Sequence, residues 1–189
     1  SLGDVGAHDR IASSAALRRF ARDHGLPVPN SVAVSGELML RTLLESVPLP
    51  LVLRDDEADG GPRAEPVRSV AAGLAAYHRL AGARLSDLLR PRRRTLSLQQ
   101  YIDGVAAKRA VVCRDGAVVA GISVESLAGT EAAPIAKIIR HPGMESIAAF
   151  LVKALNLSGF VGFDFVLEHG SRPAWLIAVK PHATPVAQL

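Results

Sequence analysis

GFDFVLEHGSRPAWLIAVKPHATP, from Gly162 to Pro185, reads as two strands around a short turn, with the chain leaving the sheet at Lys180-Pro181-His182. Alternate side chains of a strand share a face. On the first strand Phe163, Phe165 and Leu167 point one way, and Gly162, Asp164 and Val166 the other. On the second, Trp175, Ile177 and Val179 form the apolar side, opposite Ala174, Leu176, Ala178 and Lys180. Pairing Glu168 with Ala174 across the turn HGSRP sets Asp164 against Ala178 and Gly162 against Lys180. Directly opposed residues have Cβ atoms about 5 Å apart, so carboxylates at both positions would clamp one divalent cation. Only position 164 carries one.

Upstream of this hairpin, HPGMESIAAFLVKALNLSG (residues 141–159) is a predicted helix. Pro142 suits its first turn, His141 reads as its starting residue, and Ile147, Leu151, Val152 and Leu155 form one stripe. Before it, RAVVCRDGAVVAGISVESL (109–127) places Asp115-Gly116 between two apolar runs, a hairpin signal. The first half is different. DRIASSAALRRFARDHG (9–25) sets Ile11, Leu17, Phe20 and Ala21 on one helical face and stops at Gly25. Pro27 and Pro29 force extended backbone. Ser35 is the expected cap of a second helix that carries Met39, Leu40, Leu43 and Leu44 inward. PLPLVLR is a strand ending at Arg54, and the acidic, glycine-containing residues 55–65 read as a loop with few buried contacts. Helices are expected over 71–80 and near 85–89, then LSLQQYIDG (96–104). The order is α+β in two lobes, residues 1–103 and 104–189, mostly antiparallel with flanking helices.

The chain has 189 residues, 49% hydrophobic and 21% charged, which fits a folded protein; at 4% aromatics its core must come from Val, Leu, Ile and Ala. The single cysteine, Cys113, excludes an internal disulfide, reads as a buried thiol in RAVVCR, and fits a reducing cytoplasm. No apolar run is long enough to span a bilayer, and the first residues lack a signal-peptide pattern. Much of the +4 net charge lies in Arg90, Arg92, Arg93 and Arg94. Without stacking aromatics that cluster reads as a solvated loop rather than a nucleic-acid site. No nucleophilic triad, paired-histidine zinc motif or CxxC is present.

GFVGFDFVLEHG and AWLIAVKPHATP together resemble the last hairpin of the ATP-grasp superfamily, whose members read Gly-Phe-Asp-Phe-Val, a turn, then Leu-Ile-Glu-(apolar)-Asn-Pro-Arg. FARDHGLPVP resembles the family's entry helix and following segment. LPLVLRDDEADGG resembles its ATP-lysine strand and glycine-rich phosphate loop, and LSLQQYIDG its hinge strand. The resemblance, to the nucleotide-binding domain of bacterial carboxylate–amine ligases, implies a two-lobed fold with ATP in the cleft. It also implies magnesium and acyl-phosphate chemistry that joins a small carboxylate to an amine or thiol.

The same resemblance implies nucleotide contacts from Arg54, Gly60, Gly61, Gln99, Gln100, Tyr101, Ile102 and Arg109, with Asp164 as a weak metal ligand. Lys180, His182 and Lys137 are its catalytic candidates. It implies a further domain before this one, or a partner protein. The departures are specific: Arg54 replaces the strand lysine, Gln100 the hinge glutamate, Ala178 the second carboxylate, Lys180 the asparagine and His182 the arginine. Two functions stay open, an ATP-dependent ligase with an atypical metal site and a non-catalytic ATP-grasp module. The first requires metal-dependent ATP turnover.

Overall fold

The computed structural model describes residues 14–56, 63–82, 95–130, 133–170 and 173–180. They divide into two compact units, one of residues 29–101 and one of the described residues before 29 and after 101. The first unit is a four-stranded antiparallel sheet in the order β1-β4-β2-β3. Its strands are β1 (Ser31–Val34), β2 (Leu51–Asp55), β3 (Arg63–Val67) and β4 (Leu96–Gln100). Two helices, α2 (Glu37–Ser46) and α3 (Val70–Ala81), complete it. Leu51, Leu53, Val67, Leu96 and Leu98 pack on Leu40, Leu44, Ala76 and Leu80.

Three local readings change here. Gly36, not Ser35, stands at the N-cap of α2, without a side-chain cap, and Ser35 Oγ turns to Met39 Sδ at 3.2 Å. Met39 is consequently 37% exposed, while Leu40 and Leu44 are buried. Residues 63–65, read as loop, open the strand Arg63–Val67, which pairs Pro66 with Val52. Proline and charges masked this strand, and both are tolerated because it is an edge strand. Asp55 and Asp56, placed in the loop by sequence, are buried.

The second unit is a five-stranded antiparallel sheet in the order β7-β6-β5-β8-β9. Its strands are β5 (Gly104–Arg114), β6 (Ala117–Thr130), β7 (Ala133–Ile139), β8 (Gly159–Glu168) and β9 (Ala174–Lys180). The β5–β6 turn is the predicted Asp115-Gly116, with φ of 50° and 75°. Positive φ at both central residues is the type I′ signature, which matches strand twist. Helix α4 (Pro142–Ala154) starts from His141, whose Nδ1 accepts the Met144 N–H at 3.3 Å. Its Met144, Ile147, Leu151 and Val152 cover Val111, Phe163, Phe165 and Leu176.

Helix α1 (Ser14–Asp23) belongs to this unit and not to a 1–103 lobe. Leu17 and Ala21 are buried in the same core as α4, and the His24 ring lies 5.4 Å from that of Phe150. Burial of this apolar face outweighs sequence proximity to β1.

The closing hairpin keeps part of its expected register. Gly162 pairs with Lys180 and Asp164 with Ala178, but Leu167, not Glu168, pairs with Ala174. A bulge at Ile177 absorbs the difference, because Phe165 pairs with Leu176. The buried side of β9 is therefore Ala174, Leu176 and Val179, while Trp175 and Ile177 are only partly buried. Trp175 Nε1–H donates to Glu168 Oε2 at 3.1 Å. Among the described residues no helix is long and apolar enough to cross a membrane.

Candidate functional site

Three adjacent strands bring Lys108, Asp164 and Ala178 into one row, since Asp164 is directly opposite Lys108 on β5 and Ala178 on β9. Lys180 is the diagonal neighbour. Its direct partner Gly162 has no side chain, so nothing stands between the two functional groups. Lys180 Nζ lies 2.8 Å from Asp164 Oδ2, with the side chains 23% and 19% exposed. Lys108 is exposed and makes no hydrogen bond or ion pair to another described residue.

Among the described residues no three His, Cys, Asp or Glu side chains gather where they could hold a metal ion. Ala178 offers no donor atom. A divalent ion 4 Å from the ammonium would be repelled by about 8 kcal/mol at an effective dielectric near 20, comparable to what one carboxylate returns at that distance. Among the described residues the row offers a divalent cation one carboxylate, already paired with an ammonium.

Arg109, Lys137 and His141 lie on the other side of the sheet. Arg109 opposes Phe163 and Ser123, on the face covered by α4. Its Nη1 donates to Ser123 Oγ at 2.8 Å and lies 3.9 Å from Glu145 Oε1. Burial pushes its pKa down, and the Glu145 charge partly opposes that. Gly121 leaves the room: a Cβ there would stand 2.9 Å from the Arg109 Nη2. Lys137 opposes Glu125 and, with His141, Val105 and His169, lines a pocket of about 530 Å³. The candidates that sequence reading grouped are thus separated by the sheet, and Lys108 joins Lys180 as a basic side chain on the Asp164 face.

In the unit of residues 29–101, β2 and β4 pair Arg54 with Ser97 and Val52 with Gln99. Arg54, Ser97 and Gln99 therefore share the sheet face away from α2 and α3, and all are at least 96% buried. Arg54 Nε is 3.9 Å from Asp56 Oδ1. Gln99 Oε1 and Ser97 Oγ are buried and find no hydrogen-bond partner among the described residues. Gln100 instead turns outward, its Oε1 accepting the Asn30 N–H at 3.4 Å. The Arg68 guanidinium sits 6.0 Å from the Tyr101 ring centroid. Ile102 is buried. Gly60, Gly61, His182 and the Arg90–Arg94 cluster lie outside the described residues.

Sequence reading missed Ser97 and Lys108. Alternation supplied the signal for both. Ser97 is two residues before Gln99 on one strand, and Lys108 is beside Arg109, on the opposite side of β5.

No family model matches the chain, and no curated protein matches its sequence. Solved structures do match. The N5-carboxyaminoimidazole synthase of Aspergillus clavatus, solved with ADP and aminoimidazole ribonucleotide, superposes with a TM-score of 0.76 at 15% identity, over 97% of this chain and 48% of that one. The biotin carboxylase domain of Hydrogenobacter thermophilus 2-oxoglutarate carboxylase, solved with MgADP, ADP and bicarbonate, gives 0.73 at 13% identity, over 96% and 42%. The D-alanine–D-alanine ligase of Bacillus anthracis, solved with ATP, gives 0.68 at 14%, over 96% and 59%. The chain spans about half the length of these relatives. The likeness establishes an ATP-grasp fold.

Proposed function

We propose that this chain is an ATP-grasp nucleotide-binding domain of the carboxylate-ligase type, with its magnesium-dependent phosphoryl transfer impaired. The observation that carries this reading is the Asp164–Lys180 ion pair, with Ala178 beside it, on the terminal hairpin of an ATP-grasp fold. Nucleotide binding has separate support from Gln99 Oε1 and Ser97 Oγ, buried without a partner among the described residues. Orphaned acceptors cost about 1–3 kcal/mol each until a donor arrives, and the exocyclic amine of adenine is such a donor. Gln99 to Ile102 are assigned to the base, and Arg54 with Gly60 and Gly61 to the phosphates. In the other unit, Lys108 and Lys180 put positive charge on the Asp164 face.

In ligase chemistry of this type a small carboxylate takes the terminal phosphoryl group, and an amine or thiol then displaces phosphate from the acyl phosphate. Lys137 and His141 lie across the sheet from that phosphate, and neither is placed in the phosphoryl transfer. A partner domain or protein supplies the rest of the acceptor site, in the reducing cytoplasm that the lone buried thiol suits. The ion pair also favours a second reading, a non-catalytic module that binds nucleotide and acts through interaction.

Calorimetry with a non-hydrolysable ATP analogue, alongside an ATP-turnover assay, tests the proposal. Binding with slow or no turnover is expected. Ala178→Glu combined with Lys180→Asn should add magnesium-dependent affinity. Tight magnesium-dependent binding by the native chain, unimproved by the double substitution, would overturn it.

A further inference from the structure

We infer that the Asp164 face accepts polyphosphate in its metal-free form, with Lys108 and Lys180 compensating its charge, and that divalent cations oppose binding there. This rests on the nucleotide-binding reading above and gives that site a sign of magnesium dependence opposite to that of a metal-held nucleotide. The row holds two ammonium groups and one carboxylate, a net charge of one positive unit. Lys180 spends one N–H on Asp164 Oδ2. An ammonium has three donors, so two remain for acceptor oxygens, and none of the three of Lys108 is taken by a described residue.

The residues between them are small. Ala110 and Gly162 pair with each other beside the row, and Ala178 ends it; all three are buried, and none carries a side chain longer than a methyl group. A phosphate chain placed there meets donors and positive charge without any metal. The magnesium complex of the same phosphate arrives with part of its charge already neutralised. It also brings a divalent ion against an ammonium that cannot move off without stripping Asp164 of its partner. Relative to free polyphosphate it loses on both counts.

Trp175 opposes Val166 on the same face and is the only tryptophan of the chain, so its fluorescence reports on this surface. The probes are ATP and inorganic tripolyphosphate, each titrated in EDTA and in saturating magnesium, on the native chain and on Lys108→Ala and Lys180→Met. Both probes should bind in EDTA, with affinity falling about fivefold or more in magnesium, and about fivefold with either substitution. Lys108 is exposed, so its variant carries the test even if Lys180→Met loses stability. Affinity that rises with magnesium, affinity indifferent to Lys108→Ala, or no binding of either probe in EDTA would each overturn the inference. ATP binding that requires magnesium would sink it and leave the nucleotide reading standing. Tripolyphosphate binding without ATP binding would do the reverse.

Discussion

Lys180 Nζ lies 2.8 Å from Asp164 Oδ2, with both side chains less than a quarter exposed. A pair at this depth is worth more than a surface ion pair, because loss of one partner leaves a half-buried charge. Lys180→Met should lower unfolding free energy by about 1–3 kcal/mol, read as a shift in urea midpoint at unchanged slope. The double variant Asp164→Asn, Lys180→Met should recover part of that loss.

Arg109 should prove structural. Arg109→Met strands the Ser123 hydroxyl, which is 2% exposed, and should cost about 1–2 kcal/mol in the same urea assay. Polyphosphate binding on the opposite face should not change by more than about twofold.

Gln99→Leu should behave in the opposite way. Its Oε1 is buried without a partner among the described residues, so an apolar side chain of similar size leaves stability unchanged or raised by up to about 1 kcal/mol. Nucleotide affinity should fall about fivefold or more, while tripolyphosphate affinity should not.

Cys113 is 3% exposed, and burial raises its thiol pKa above the ordinary value of 9.0. The folded pKa exceeds the unfolded one, so the contribution to stability is fully present below pH 9.0 and is lost as pH rises through the folded value. Iodoacetamide at pH 8 should therefore label the native thiol at least about tenfold more slowly than the urea-unfolded one.

Gly104 opens β5 against the backbone of Leu167 and Glu168. A Cβ there would run into the Leu167 carbonyl group, and backbone cannot rotate aside as a side chain can. Gly104→Ala should cost about 2 kcal/mol or more, measured by thermal unfolding.

The elements that announced themselves in sequence did so through strong local chemistry. Asp115-Gly116 demanded a type I′ turn, and Pro142 with its apolar stripe demanded α4. The final hairpin placed Asp164 opposite Ala178 from a Glu168–Ala174 pair that the structure replaces with Leu167–Ala174, and the bulge at Ile177 restores the match. Long-range burial was less legible. Nothing local shows that Leu17 and Ala21 would join the core of α4, or that Arg63–Val67 would pair with β2 despite Pro66. Candidate residues were found as residue types, but their grouping depended on strand parity. Arg109 and Lys108 differ by one position and lie on opposite faces of β5. The parity of β9 was misread for its first half because an interrupted ladder has no mark in the sequence AWLIAVK.

The bulge at Ile177 also has a meaning for how the hairpin finds its register during folding. If the ladder near the turn continued without interruption, Asp164 would meet Ile177, and Lys180 would meet Val161 on the side packed by α4. That misregistered hairpin would drive an ammonium into an aliphatic core, at a cost of several kcal/mol. It would also push Ile177 and Val179 outward. The wrong zipper is therefore penalised at its open end, where Lys180 joins last. The same lysine that pairs with Asp164 in the finished sheet acts, while the sheet is still forming, as a check on which ladder is allowed to close.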